Sequence, residues 1–236
     1  MSALLSVEGL RAGYGSADML FGIDLHVDTG EVVALVGRNG AGKSTTLKAI
    51  MGLVPPRAGR VVFAGTEISG LPAYRIARRG LGYVPEDRRI FTNLSVAENL
   101  DMGRQQARPG RYAWTPERLF EIFPNLGEMR SRRALHMSGG EQQMLSIART
   151  LMGNPLVVLL DEPTEGIAPV IVNQMVEAIR RMKEEGIAIL LCEQNVVFAS
   201  AVSERLYAMQ GGEIQFEGRS DALADPDSPI HRQMAL

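Results

Sequence analysis

Residues 31–36 read Glu-Val-Val-Ala-Leu-Val, and residues 37–45 read Gly-Arg-Asn-Gly-Ala-Gly-Lys-Ser-Thr. The first run is short, apolar and rich in β-branched side chains, which predicts a buried strand. The second fits G-x-x-x-x-G-K-[ST], a glycine loop that cradles phosphates. From Lys43 to Met51 the apolar residues Leu47, Ile50 and Met51 share one face at helical spacing. Strand, loop and helix in succession let the backbone N–H groups of residues 39–45 converge on an anion at a helix N-terminus. Gly37, Gly40 and Gly42 permit the turn and a close approach of ligand to backbone. A glycine-rich turn with a chance Lys-Ser would not be expected to have both flanks in order. The nucleotide-binding residues are therefore predicted as Gly37, Arg38, Asn39, Gly40, Ala41, Gly42, Lys43, Ser44 and Thr45. Lys43 would hold the β- and γ-phosphates, and Ser44 would bind Mg²⁺.

Residues 157–162, Val-Val-Leu-Leu-Asp-Glu, supply what that loop lacks. An apolar strand of this kind suits the interior of a parallel sheet, and ligands in such sheets lie beyond the carboxyl ends of the strands. Asp161 is placed to hold Mg²⁺, directly or through water. Glu162 is placed to orient or deprotonate an attacking water. A lone Asp-Glu pair would read as surface charge; beside the glycine loop it reads as catalytic.

Between them, Ser138-Gly-Gly-Glu141 forms a capping box that opens a helix over 141–152 with Met144, Leu145, Ala148, Leu151 and Met152 on its apolar face. Capping explains Ser138 and Glu141. It leaves Gly139 and Gly140 unexplained, because glycine is a poor helix former. A helix start that offers a hydroxyl and glycine N–H groups is a second anion site.

With these three motifs in order, nearly the whole chain resembles the nucleotide-binding subunit of an ABC transporter. Tyr83-Val-Pro-Glu-Asp-Arg-Arg-Ile-Phe91, Glu162-Pro-Thr-Glu-Gly-Ile-Ala-Pro169 and Cys192-Glu-Gln-Asn195 resemble the LivF-type ATPases of branched-chain amino acid importers; the ATPases of urea importers are similar. The resemblance implies an α/β P-loop NTPase with a RecA-like core, an N-terminal antiparallel β subdomain and an inserted helical subdomain. It implies ATP and Mg²⁺ as ligands, and a head-to-tail pair of ATPases, either a LivG-like heterodimer or a homodimer. Each ATP would lie between one chain's phosphate loop and the other chain's Ser138-Gly139-Gly140-Glu141. Two membrane permeases and, indirectly, a periplasmic binding protein complete such systems. The chain would then sit on the cytoplasmic face of the inner membrane, held there by the permeases. Tyr14 falls where the family stacks an aromatic on adenine; the alternative is ordinary packing of a strand.

Four positions depart from the general pattern of the family. Glu86 stands where most members have Gln, near Mg²⁺ and the γ-phosphate, and Gln194 stands where most have His. An amide can donate to a phosphate but cannot titrate. Ala168 replaces an Asp, and Met137 replaces a Leu before Ser138. The site is accordingly expected to use Glu162, Lys43, Gln194 and Glu86 in catalysis, with Ser44, Asp161 and Glu86 toward the metal. A regulatory module with weak hydrolysis is the competing expectation; Glu162 argues against it.

Composition limits the other possibilities. At 236 residues with 45% hydrophobic and 22% charged side chains, the chain suits one α/β domain. A net charge of −2 gives no electrostatic reason to expect nucleic acid. ABC-type ATPases that act on DNA or ribosomes carry long coiled coils or tandem domains, and neither is legible here. No apolar run approaches the ~20 residues that span a bilayer, and no signal peptide is read at the start. The single Cys192 falls in the apolar run Ile187–Cys192 and is expected to be buried. His26, His136 and His231 lack metal spacing.

Residues 1–86 and 155–236 read as the nucleotide core, and 87–154 as the helical insert. Gly13 and Gly22 are expected to be turns in a β-rich start, with a further strand over 59–66. Helices are expected over 96–102 and 117–123, a loop over 104–114, and a helix from Pro169 with Val172, Met175, Val176, Ile179 and Met182 inward. Gly211-Gly212 signals a hairpin between 206–209 and 213–216. Residues 225–236 carry little structural signal. Arg75, Arg78 and Arg79 read as a solvated face with carboxylate neighbours. Arg88 and Arg89 remain open between a solvated face and a contact with a membrane subunit.

Overall fold

The computed structural model describes residues 3–110 and 113–221. In chain order the elements are β1 (Leu5–Tyr14), β2 (Ala17–Val27), β3 (Val32–Val36), α1 (Lys43–Ile50), β4 (Pro56–Phe63), β5 (Thr66–Glu67), α2 (Ala73–Arg79) and β6 (Leu81–Val84). There follow α3 (Val96–Gly103), α4 (Pro116–Ile122), α5 (Pro124–Glu128), α6 (Gly139–Leu151) and β7 (Val157–Asp161). The last are α7 (Pro169–Glu184), β8 (Ala188–Glu193), α8 (Val196–Val202), β9 (Arg205–Gln210) and β10 (Glu213–Arg219).

Two sheets form. One is antiparallel with the order β2-β1-β4-β5; the other has the order β10-β9-β3-β8-β7-β6. Within the second, β9, β3, β8, β7 and β6 are parallel and β10 returns antiparallel through Gly211-Gly212. Every residue of β3, β7 and β8 is buried, as continuous apolar strands covered on both faces must be. One core joins the antiparallel sheet, α1 and one face of the parallel sheet; a second joins the opposite face to α3–α7.

Register places the chemistry. Val36 pairs with Glu193 across β3 and β8, and Asp161 pairs with Cys192 across β7 and β8. The loops after β3, β7 and β8 therefore leave the sheet side by side at its carboxyl edge.

Several expectations shift. Gly13 and Gly22 lie inside β1 and β2, and the turn is at Gly15-Ser16. Gly13 marks a register irregularity in the β1–β2 ladder, where a Cβ would meet Ala17 O at 2.0 Å. The strand expected over 59–66 begins earlier, at Pro56, and turns at Ala64-Gly65. The helix expected from 141 already holds Gly139 and Gly140, because the capping box sets Ser138 as its cap. Arg75, Arg78 and Arg79 are exposed, as the expected solvated face requires; the guanidinium carbons of Arg75 and Arg78 each lie 5.9 Å from the Tyr74 ring centroid. His231 and the stretch 225–236 lie outside the described residues.

Candidate nucleotide site

The phosphate loop runs directly out of β3. At Gly37 a Cβ would sit 2.4 Å from Met209 O, so β9 can approach only a glycine there. Gly42 caps α1 at φ 112°, in the left-handed region, and a Cβ would collide with Met209 Cε and Leu20 Cδ2. Arg38, Asn39 and Gly40 form the exposed crest.

Lys43 is folded back beneath this crest and is 3% exposed. Its ammonium donates to Gly37 O at 2.8 Å and Arg38 O at 3.2 Å, and pairs with Glu162 Oε1 at 2.9 Å. Glu162 has φ 43°, a left-handed conformation uncommon for a side chain of this kind, and its N–H donates to Cys192 O at 3.0 Å. The backbone thus turns sharply after Asp161 and aims the second carboxylate at the phosphate loop.

Ser44 Oγ donates to Asp161 Oδ1 at 2.7 Å, and Tyr83 OH donates to Asp161 Oδ2 at 2.9 Å. Burial raises the Asp161 carboxyl above the usual range, against the pull of these two hydrogen bonds. The same burial and the carboxylate beside it push the Tyr83 phenol far up, so it remains a donor. Oxygens of a hydroxyl and a carboxylate at this spacing suit a hard divalent cation. Among the described residues no group of three His, Cys, Asp or Glu could hold a metal.

Glu86 is exposed on the loop after β6 and meets Glu165, whose carboxyl is raised by burial and then by the negative charges of Glu86 and Glu162. Gln194 is exposed at the start of the loop after β8, and lines one pocket with Glu162, Thr164 and Glu165. Tyr14 is 50% exposed at the end of β1.

Ser138, Gly139, Gly140 and Glu141 form the expected capping box: Glu141 N donates to Ser138 Oγ at 3.4 Å, and Ser138 N donates to Glu141 Oε2 at 2.7 Å. Gly140 now has a packing reason, since a Cβ would lie 2.9 Å from Ile171 Cγ2 where α6 meets α7. At Gly139 the neighbour is the Arg88 guanidinium, 2.9 Å from the same hypothetical atom. The Arg88 carbonyl accepts from Ser146 Oγ at 2.7 Å and Arg149 Nη2 at 3.2 Å, which fastens the loop after β6 to α6. Arg88 and Arg89 therefore part company: Arg89 turns to Asp87 and lines an open cleft with Leu53, Tyr74, Phe91 and Met102.

Three residues escaped the sequence reading. Tyr83 is an aromatic at a strand end, Glu165 follows the Asp-Glu pair, and Glu193 is a second acid closing an apolar strand. Only the last carried a signal, the same one that marked Asp161. Cys192 is buried as expected, with its thiol pushed well up by that burial.

Residues 20–165 match the family described as ABC transporter. The chain is 40% identical over 220 residues to the high-affinity branched-chain amino acid transport ATP-binding protein BraG of Pseudomonas aeruginosa, covering 93% of this chain and 94% of that one. It is 34% identical over 223 residues to a probable LivF of Archaeoglobus fulgidus, covering 94% of each. It is also 36% identical over 220 residues to the lipopolysaccharide export ATP-binding protein LptB of Escherichia coli, covering 92% and 90%. Among solved structures, the ADP conformation of an ATP-binding cassette of an ABC transporter superposes with a TM-score of 0.80 at 27% identity, covering 98% of this chain and 99% of that one.

Proposed function

Since the chain belongs to the ABC transporter family, as an ATP-binding and ATP-hydrolysing subunit, we propose that it powers an importer whose solute is a branched-chain amino acid. The single observation that carries hydrolysis is the meeting of Lys43, Ser44, Asp161 and Glu162 at one sheet edge. The 40% identity to BraG supports the solute.

In this proposal the phosphates of ATP lie on the N–H groups of residues 39–45, and Tyr14 stacks on adenine. Lys43 holds the β- and γ-phosphates. Ser44 and Asp161 hold Mg²⁺, which would neutralise charge developing on the transferred phosphoryl group. Tyr83 keeps Asp161 oriented by donating to its far oxygen. Glu162 takes the proton of the attacking water, and Gln194 donates an amide N–H toward the γ-phosphate. Glu86, on its exposed loop, approaches from the open side.

A second ATPase, a LivG-like chain or another copy of this one, would supply its own Ser-Gly-Gly helix start to this nucleotide, while Ser138, Gly139, Gly140 and Glu141 serve the other. Residues 87–154 would act as a helical subdomain against a core of 1–86 and 155–236. No helix among the described residues is long and apolar enough to cross a membrane. Attachment to the cytoplasmic face is accordingly assigned to two permease subunits, received in the cleft of Leu53, Tyr74, Arg89, Phe91 and Met102, with a periplasmic binding protein beyond them. Leu53, Tyr74, Phe91 and Met102 are exposed apolar side chains on a cationic rim, which favours a protein segment with apolar and acidic groups.

The test is reconstitution with the cognate permeases in proteoliposomes. Leucine-, isoleucine- or valine-loaded binding protein should stimulate ATP turnover. Stimulation by urea, or by lipopolysaccharide without a binding protein, would assign a different cargo.

A further inference from the structure

Glu193 ends β8 and is 2% exposed, yet it carries a carboxylate that Lys43 does not pair with in this structure. Its Oε1 accepts from Thr164 N at 3.1 Å and Thr164 Oγ1 at 2.7 Å. Its Oε2 accepts from Gln194 N and Asn195 N, both at 3.1 Å. Its backbone carbonyl accepts from Gly37 N at 3.4 Å, and the carbonyl of the preceding residue, Cys192, accepts from Glu162 N at 3.0 Å. Two adjacent residues therefore hold the loops after β3, β7 and β8 together where those loops leave the sheet.

A buried carboxylate is costly, and a neutral side chain could have closed the strand without that cost. What the carboxylate adds is four acceptor directions on two oxygens, which an amide or hydroxyl cannot offer. Each oxygen takes a different loop: one takes the loop that follows Glu162, the other takes the loop that begins with Gln194. Burial raises its carboxyl and the hydrogen bonds pull it back, as a charge held by donors requires.

We infer that Glu193 is a positioning residue, whose carboxylate locks the loop of Glu162 to the loop of Gln194 and so fixes the distance between base and amide. The inference rests on the ATPase role proposed above. It separates binding from turnover, because Lys43 and Ser44 lie on α1 and none of the hydrogen bonds of the Glu193 carboxylate reaches them.

Glu193→Gln tests it in the assembled transporter. The substitution keeps size but replaces two acceptor directions by an N–H₂ that faces N–H donors. MgATP affinity should stay within about twofold while kcat falls about tenfold or more, as expected for a catalytic group displaced by a fraction of an ångström. Glu193→Asp, which keeps both oxygens on a shorter arm, should recover part of kcat. A merely structural role would not give the third result. In a double-variant cycle with Gln194→Ala, the two falls in kcat should combine to less than their product, because the clamp acts partly through Gln194. Falls that multiply, or an unchanged kcat for Glu193→Gln, overturn the inference. Should Glu193→Gln fail to accumulate folded, the same cycle with Glu193→Asp decides by the same criterion. A parent that binds MgATP and never turns over counts against the ATPase proposal instead, and is distinguishable from both.

Discussion

Lys43 Nζ lies 2.9 Å from Glu162 Oε1, and both side chains are largely shielded from water. The cation expected to receive phosphate is thus neutralised by the carboxylate expected to activate water. A phosphate entering the loop would compete with Glu162 for one ammonium. Under the proposed function, drawing Lys43 away would release the carboxylate as its substrate arrives. In the proposed mechanism the base would be held out of use by the same group that binds the nucleotide.

Lys43→Ala should abolish measurable MgATP affinity in calorimetry, because it removes the buried ammonium that lies against the loop carbonyls. It also leaves Glu162 without its partner, and the loss of a buried pair's cation costs up to about 3–5 kcal/mol of stability. Parent-like affinity would remove Lys43 from the phosphate site.

Glu162→Gln preserves shape and a hydrogen bond to Lys43 but cannot take a proton. ATP should still bind, a closed ATP-bound dimer should accumulate, and hydrolysis at this site should fall on the order of 10²–10⁴-fold. Single-turnover measurement with the partner's site disabled reads this directly. A fall smaller than about tenfold would move the base elsewhere, with Glu86 next in line.

Asp161→Asn should trade function for stability. Burial holds the Asp161 carboxyl above its unfolded value of about 3.9, so its contribution to stability is present below that pH and is lost as pH rises through the folded value. Asparagine does not ionise and loses nothing. Urea denaturation in the absence of nucleotide should therefore find Asp161→Asn at least as stable as the parent at pH 7–8, with the difference closing toward pH 4, while Mg²⁺-dependent ATP affinity drops. A variant clearly less stable at neutral pH would mean that the ionised carboxylate is a net structural asset.

Gly140→Ala and Gly139→Ala should differ. The first drives a methyl into Ile171 between two packed helices, whereas the second meets the mobile end of Arg88. Overpacking of the first kind costs typically about 1–3 kcal/mol, and the second should cost little, since alanine is the better helix former. Chemical denaturation of the two variants checks the order, and equal losses would refute it.

Gln194→His should introduce a pH dependence of hydrolysis between about 6 and 8, where histidine changes charge. The parent should show none from this position. A flat profile in Gln194→His would place residue 194 away from the reacting phosphate.

The fold was largely legible from short apolar runs. Val32–Val36 and Val157–Asp161 are continuous, and continuous runs belong to parallel strands covered on both faces. Legibility failed where long-range pairing decides. Gly13 and Gly22 read as turns because glycine punctuates a sequence, yet here they absorb irregular register inside an antiparallel ladder. Within the site, Lys43, Ser44, Asp161 and Glu162 announced themselves by spacing, because each follows a strand end or a glycine loop. Tyr83 and Glu165 did not, since their partners, Asp161 and Glu86, are brought close only by the sheet and its loops. Gly140 was read as a sign of ligand; its tight contact with Ile171 lies 31 residues along the chain, too far for any local pattern to reveal.

The Arg88 carbonyl, held by Ser146 and Arg149, ties the turn after β6 to helix α6. Glu86 rides at one end and Ser138 at the other. If Glu86 meets nucleotide as proposed, that contact and the helix start at Ser138 would share one hydrogen-bonded segment rather than two independent loops. Arg89, next along, borders the cleft with Phe91 and Met102. A partner seated in that cleft would thus touch the residue next to the one that ties the turn to the helix.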